Sequence, residues 1–148
     1  MAEGMRLRAR DAEDLAVVSA LLQDAIIPIG DLAFLPQEGL FILMASRFLW
    51  EGVPEDGGPS PDDGEERSYR ILCAVRFHNV RGVRRRGLDL ARRDQFLSLL
   101  SVEAAGDGVV LLHLSGGADI RLEGEAIECR LEDRGQPWPV TLRPDHGL

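Results

Sequence analysis

Arginine is the residue type in this sequence that is best suited to binding an anion. Eight arginines lie within residues 69–96, where only two acids accompany them, so this stretch carries a net charge of +6. A guanidinium group presents a planar fork of N–H donors that matches carboxylate and phosphate groups. We therefore predict an anion-binding site formed by Arg76, Arg81, Arg84, Arg85 and Arg86.

The rest of the chain is acidic, which leaves a second interpretation open. Residues 1–68 carry a net charge of −9 and residues 97–148 carry −5, so the 148-residue chain has a net charge of −8. The arginines could therefore pair with the protein's own acids instead of a ligand. Net acidity also opposes the approach of a polyanion, so nucleic acid is an unfavourable partner.

Other kinds of site find little support. The histidines His78, His113 and His146 lack metal-ligand spacing, and the absence of lysine excludes Schiff-base and P-loop lysine chemistry. We expect no metal site, no cofactor and no catalytic residue. His78 and Arg76, joined in space by Asp24 or Asp31, form the one acid/base group that supports the alternative of a small enzyme.

Cysteine usage and hydropathy indicate the cellular compartment in which the protein works. Cys73 and Cys129 have apolar neighbours, so free buried thiols are expected. Residues 1–10 alternate in charge and lack the apolar core of a signal peptide, and no apolar run approaches the roughly 18 residues of a membrane span. These features predict a cytoplasmic protein with no membrane contact.

Hydrophobic periodicity predicts both helix and strand. Asp11–Ala25 reads as an amphipathic helix with Asp11 as its N-cap. Leu40–Ala45 is a continuous apolar run expected to be a strand buried on both faces, and Tyr69–Val80 alternates as a strand. Glycine turns separate three further predicted strands at Phe96–Ala104, Val109–Ser115 and Ala118–Leu122.

The hydrophobic pattern of the segment Glu125–Arg134 fits both a helix and a strand. Ile127 and Leu131 have helical spacing and Gly135 follows as a C-cap, so we predict a short helix. The alternation of Ile127, Cys129 and Leu131 would instead indicate a strand.

The acidic stretch 52–68 contains three prolines, four glycines and six acids, a composition that predicts a mobile loop. The length suits a single domain spanning residues 1–148. EGLFILMAS at 38–46 and DGVVLLHLS at 107–115 are alike and 69 residues apart, so a duplicated β-unit is one hypothesis.

Three segments carry a resemblance to a known family: RARDAEDLAVVSALLQDA, RFLWE and GGADIRLEGEAIECRLEDRG followed by PW after one residue. In this order they resemble a bacterial family of small proteins of unknown function, over nearly the whole chain. The resemblance implies a stand-alone cytoplasmic protein and carries over no activity and no site residue.

We therefore predict an α+β fold: a curved antiparallel sheet or partial barrel with an N-terminal amphipathic helix and a short C-terminal helix. The predicted function is a non-catalytic binding module whose arginine-rich surface holds an anionic partner. The alternatives are a small enzyme with a non-motif acid/base site, and a structural homodimer joined at the edge of an apolar strand such as Leu40–Ala45.

Overall fold

The fold is built almost entirely from β-strands. The computed structural model describes residues 5–49 and 67–141. The predicted loop at 52–68 lies outside the described residues, apart from its last two, which begin a strand. The elements in chain order are β1 (Arg6–Ala9), α1 (Ala12–Leu21), β2 (Ala25–Pro28), β3 (Ala33–Leu35), β4 (Leu40–Phe48), β5 (Arg67–Arg86), β6 (Phe96–Ala104), β7 (Val109–Leu114) and β8 (Asp119–Thr141).

Six strands close into an antiparallel barrel. β8 pairs with β5, β5 with β4, β4 with β2, β2 with β6 and β6 with β7, and β7 returns to β8. β1 lies beside the middle of β8, and β3 lies beside the start of β4. The prediction of an α+β fold with a curved sheet or partial barrel is therefore wrong, because the described chain is mostly β and the barrel is closed.

The predicted C-terminal helix at Glu125–Arg134 is also wrong, since this segment belongs to β8. Cys129 and Leu131 point into the core and are each 1% exposed, whereas Arg130 between them faces outward. β5 pairs with one side of the segment and β1 with the other, so its backbone groups are satisfied by neighbouring strands. Gly135, predicted to end a helix, has a φ of 78° at a register shift of β8.

The apolar run Leu40–Ala45 forms a strand, but it alternates in burial. Phe41, Leu43 and Ala45 are buried, whereas Ile42 and Met44 are partly exposed, so the prediction of burial on both faces is wrong. β4 pairs with β5 on one side and with β2 and β3 on the other. The run is therefore not a free edge at which a homodimer could add a strand.

The N-terminal helix is confirmed in a shorter form, α1. The Asp11 carboxylate caps it by accepting a hydrogen bond of 2.8 Å from the Asp14 amide. Leu15 and Val18 bury one face of the helix in the barrel core. The Ser19 hydroxyl accepts a hydrogen bond of 2.9 Å from the Val102 amide, which joins α1 to β6. No helix in the described part of the chain is long and apolar enough to cross a membrane.

The barrel contains two similar units, β2–β4–β5 and β6–β7–β8. Their first strands pair with each other, as do their last strands. The Gly39 carbonyl accepts a hydrogen bond of 2.8 Å from the Val80 amide, and the Gly108 carbonyl accepts one of 2.9 Å from the Gly124 amide. Val80 and Gly124 are themselves partners in the β5–β8 register. This correspondence favours the duplication hypothesis, although superposition of the two units stays a prediction.

Candidate anion-binding site

The five predicted arginines all lie on β5, but the structure divides them. A register shift around Asn79, which has a φ of 68°, separates Arg76 from the other four. Beyond the shift, ion pairs join Arg81 to Glu125 at 3.2 Å, Arg84 to Glu123 at 3.7 Å and Arg86 to Asp119 at 2.7 Å. Arg85 is exposed and has no ion pair with any described residue. The predicted set therefore does not converge on one site.

Arg76 instead belongs to a row of three arginines on neighbouring strands. Arg130 on β8 lies directly opposite Arg76 on β5, and on its other side it lies directly opposite Arg8 on β1. Neighbouring strands are about 4.8 Å apart, and like charges that lie directly opposite each other destabilise a sheet. This row is therefore a place where a bound anion would relieve repulsion.

Two glutamates flank the arginine row. Glu132 contacts Arg6 at 3.1 Å and Arg76 at 3.6 Å. Glu128 contacts Arg8 at 3.3 Å, Arg10 at 3.3 Å and Arg130 at 2.7 Å. The hydrogen bond from Arg130, together with the charges of Arg8 and Arg10, lowers the pKa of Glu128. Five arginines thus share two carboxylates, which leaves a net charge of +3 on this surface.

Four of these arginines, all but Arg10, border a groove of about 330 Å³ that is open to solvent, which we call the arginine groove. Leu7 and Leu131 also line the groove, and their side chains pack against the core. The charged side chains form its walls. Its lining residues are Arg6, Leu7, Arg8, Arg76, Arg130, Leu131 and Glu132.

His78 lies at the next outward position after Arg76 on β5, opposite Glu128. Its Nε2 atom is buried and has no hydrogen-bond partner among the described residues. Burial lowers the pKa of His78, as do the charges of Arg130 and Arg76, while Glu128 acts in the opposite direction. His78 and Arg76 share a face as predicted, but the carboxylates beside them are Glu128, opposite His78, and Glu132, against Arg76, and not Asp24 or Asp31.

Several charged residues in and beside the arginine groove were not assigned to a site from the sequence. Arg6, Arg8 and Arg10 recur at every second position, a period that places them on one face of a strand. Glu128, Arg130 and Glu132 follow the same period. Charged residues at every second position were the sequence signal for this charged strand face. The signal was missed because Glu125–Arg134 was predicted to be a helix.

Comparison with known proteins identifies the family. The sequence profile of DUF2948, described as a protein of unknown function, matches residues 5–146. The chain belongs to the DUF2948 family. This confirms the resemblance to a family of unknown function drawn from the three sequence motifs. Searches of curated proteins and of solved structures found no match.

A second charged feature of this DUF2948 chain is closed to solvent. Arg47 on β4 continues the inward positions of Phe41, Leu43 and Ala45 and is 0% exposed. Its Nε and Nη2 atoms donate hydrogen bonds of 2.9 and 2.8 Å to the carboxylate of Asp133. The Met5 amide donates to the same carboxylate at 3.2 Å. This pair ties β4 and β8 to the start of β1, and it is a structural element of the barrel.

Further ionisable groups among the described residues of the DUF2948 chain are two buried thiols and a surface histidine. Cys73 and Cys129 are free thiols, as predicted, and burial raises the pKa of each to about 12. A thiol in that state is a poor nucleophile. His113 contacts Glu103 at 2.7 Å on the surface. In residues 5–49 and 67–141, no group of three or more His, Cys, Asp or Glu residues could hold a metal ion.

Proposed function

We propose that this DUF2948 protein is a non-catalytic binding module that holds an anionic ligand in the arginine groove. The observation that carries the proposal is the row Arg8–Arg130–Arg76, in which three like charges lie side by side on neighbouring strands. Such a row is unfavourable by itself and becomes favourable when an anion lies against it.

The ion pairs within the arginine groove leave room for a ligand. The side chains of Arg6, Arg8 and Arg130 are 80%, 55% and 49% exposed. Exposed ion pairs contribute about 0–1 kcal/mol, so an incoming anion can share or displace the internal glutamates at little cost. Arginine also holds its charge at every physiological pH.

The arginines beyond Asn79 extend the proposed surface. Arg81, Arg84, Arg85 and Arg86 lie on the same strand as Arg76 and are exposed. Arg84 lies directly opposite Arg121, which repeats the arrangement of Arg76 and Arg130 further along the β5–β8 pair. These residues would add long-range attraction to an anionic partner whose primary contact is the arginine groove. The two free thiols suit the reducing cytoplasm that we propose as its location.

The proposal is tested by following the arginine side chains in solution. Nitrogen-15 spectra of the arginine Nε–H groups are recorded while sodium phosphate replaces sodium chloride at constant ionic strength. We expect the signals of Arg8, Arg76 and Arg130 to shift in a saturable way, and the affinity to fall as ionic strength rises.

Two variants complete the experiment. Arg130→Gln should abolish the shifts at Arg8 and Arg76, because it removes the middle charge of the row. Arg92→Gln removes an exposed arginine from the β5–β6 connection and should leave the shifts unchanged. An absence of saturable shifts, or equal shifts in the Arg130→Gln variant, would reject the arginine groove as an anion site.

A further inference from the structure

We infer that the arginine groove selects a phosphoryl group carried by a small molecule over a carboxylate. This inference rests on the proposed function and adds a ligand class to it. It follows from the hydrogen-bond donors that the row leaves available, the directions from which they come, and the size of the groove.

The three arginines of the row keep most of their donors. Each guanidinium has five N–H groups. Among all the described residues, the only hydrogen bond that a side chain of this row donates runs from Arg130 Nε to Glu128, at 2.7 Å. Arg8 and Arg76 make longer ion pairs of 3.3 and 3.6 Å. The Nη groups of Arg130 therefore remain available to a ligand, and Arg8 and Arg76 can turn toward it from their longer ion pairs.

The available donors come from three directions. Arg8, Arg130 and Arg76 are rooted on β1, β8 and β5, so their forks approach a ligand from either side and from the middle. A carboxylate has two oxygens in one plane, and a single fork satisfies both. A phosphoryl group has three terminal oxygens and a larger charge, so it can accept hydrogen bonds from all three arginines.

The surroundings limit the size of the ligand. A groove of about 330 Å³ lies at the lower end of the range for small-molecule sites. It has room for a phosphoryl group and a short carrier. The net charge of −8 opposes the approach of a long polyanion. Glu132 lines the groove and offers an acceptor to a hydroxyl group on the carrier.

Calorimetric titration of the 148-residue protein with three probes tests the inference. The probes are glycerol 3-phosphate, glycerate and inorganic phosphate, at matched ionic strength. We expect glycerol 3-phosphate to bind at least about tenfold more tightly than glycerate, because each additional charge-assisted hydrogen bond adds to affinity. It should also bind more tightly than inorganic phosphate, which has no carrier to contact Glu132.

Charge-conserving variants separate fork geometry from charge. Arg130→Lys keeps the positive charge and loses the fork, so the affinity for glycerol 3-phosphate should fall at least about tenfold. Arg8→Lys should act in the same direction, and Arg92→Lys is the matched control. All three side chains are exposed, so the substitutions leave the barrel core intact.

The outcomes distinguish this inference from the proposed function. If glycerate binds as tightly as glycerol 3-phosphate and Arg130→Gln abolishes both, the anion site stands and phosphoryl selectivity is rejected. If inorganic phosphate matches glycerol 3-phosphate, the carrier is rejected as part of the ligand. If none of the probes binds, both the inference and the proposed function are rejected.

Discussion

Arg47 and Asp133 form a bidentate ion pair in the barrel with side-chain exposures of 0% and 3%. Removing one member leaves the other as an uncompensated buried charge, which costs about 3–5 kcal/mol. We therefore expect Arg47→Met and Asp133→Asn each to lower the free energy of unfolding by about this amount, measured by urea denaturation.

The exposed pair Arg86–Asp119 is the control for this prediction, with side-chain exposures of 80% and 22%. Arg86→Met should change stability by less than about 1 kcal/mol, because Arg86 is exposed and Asp119 keeps access to water. The double variant Arg47→Met/Asp133→Leu should cost less than the sum of its single changes. Equal costs for Arg47→Met and Arg86→Met would contradict the structural role of the buried pair.

Gly124 is expected to be the glycine of the β5–β8 pair that tolerates substitution least. A Cβ atom there would overlap the Asn79 carbonyl oxygen and lie 3.2 Å from Val80 Cα. Gly124→Ala should destabilise the protein by about 1–3 kcal/mol through overpacking. Gly82→Ala is a matched control on the neighbouring strand, since its nearest neighbour would be Glu123 Oε1 at 3.9 Å. Thermal unfolding that ranks the two variants equally would argue against this close approach.

The two thiols should be protected in the folded protein. Cys73 and Cys129 are 0% and 1% exposed, and burial raises the pKa of each to about 12. Both should react with a disulfide reagent only as fast as the protein unfolds, and immediately in concentrated urea. A surface thiol introduced by Arg92→Cys should react at once in native buffer. Rapid modification of Cys73 or Cys129 without loss of structure would refute the buried placement.

His78 should make stability depend on pH. Burial and the charges of Arg130 and Arg76 lower its folded pKa, against the effect of Glu128. In the unfolded chain His78 takes up a proton near its ordinary pKa of 6.5, whereas in the folded protein it does so only at lower pH. Its contribution to the free energy of unfolding is therefore present above about pH 6.5. This contribution is lost as the pH falls from there toward the lower pKa of the folded protein.

The variant His78→Gln isolates this effect, because glutamine does not titrate. Urea midpoints measured between pH 5 and pH 8 should fall more for the natural protein than for the variant on the acid side. Identical pH profiles would show that protonation of His78 is the same in the folded and unfolded chains.

Local sequence signals predicted the elements that depend on local interactions. The capping residue Asp11 and the apolar stripe behind it identified α1, and the glycine turns after Ala104 and Leu114 identified β6 and β7. A helix cap and a tight turn are satisfied by residues a few positions away, so their chemistry is visible in a short window.

The segment Glu125–Arg134 shows where this information ends. Ile127 and Leu131 fit a helical period, and Ile127, Cys129 and Leu131 fit a strand period equally well. β5 and β1 decide between them, because they offer backbone partners on both sides of β8. Strand neighbours distant in sequence override weak local preference.

The candidate site, too, was predicted only in part from the sequence, and the tertiary structure decided the rest. Composition alone identified an arginine-rich segment and predicted that Arg76 belongs to an anion-binding site. Composition could not show that Arg8 and Arg130 lie beside Arg76. It also could not show that Arg81, Arg84 and Arg86 form ion pairs with nearby acids. Those choices follow from closure of the barrel, which sets the register of β1, β8 and β5 and brings together charges from three distant parts of the chain.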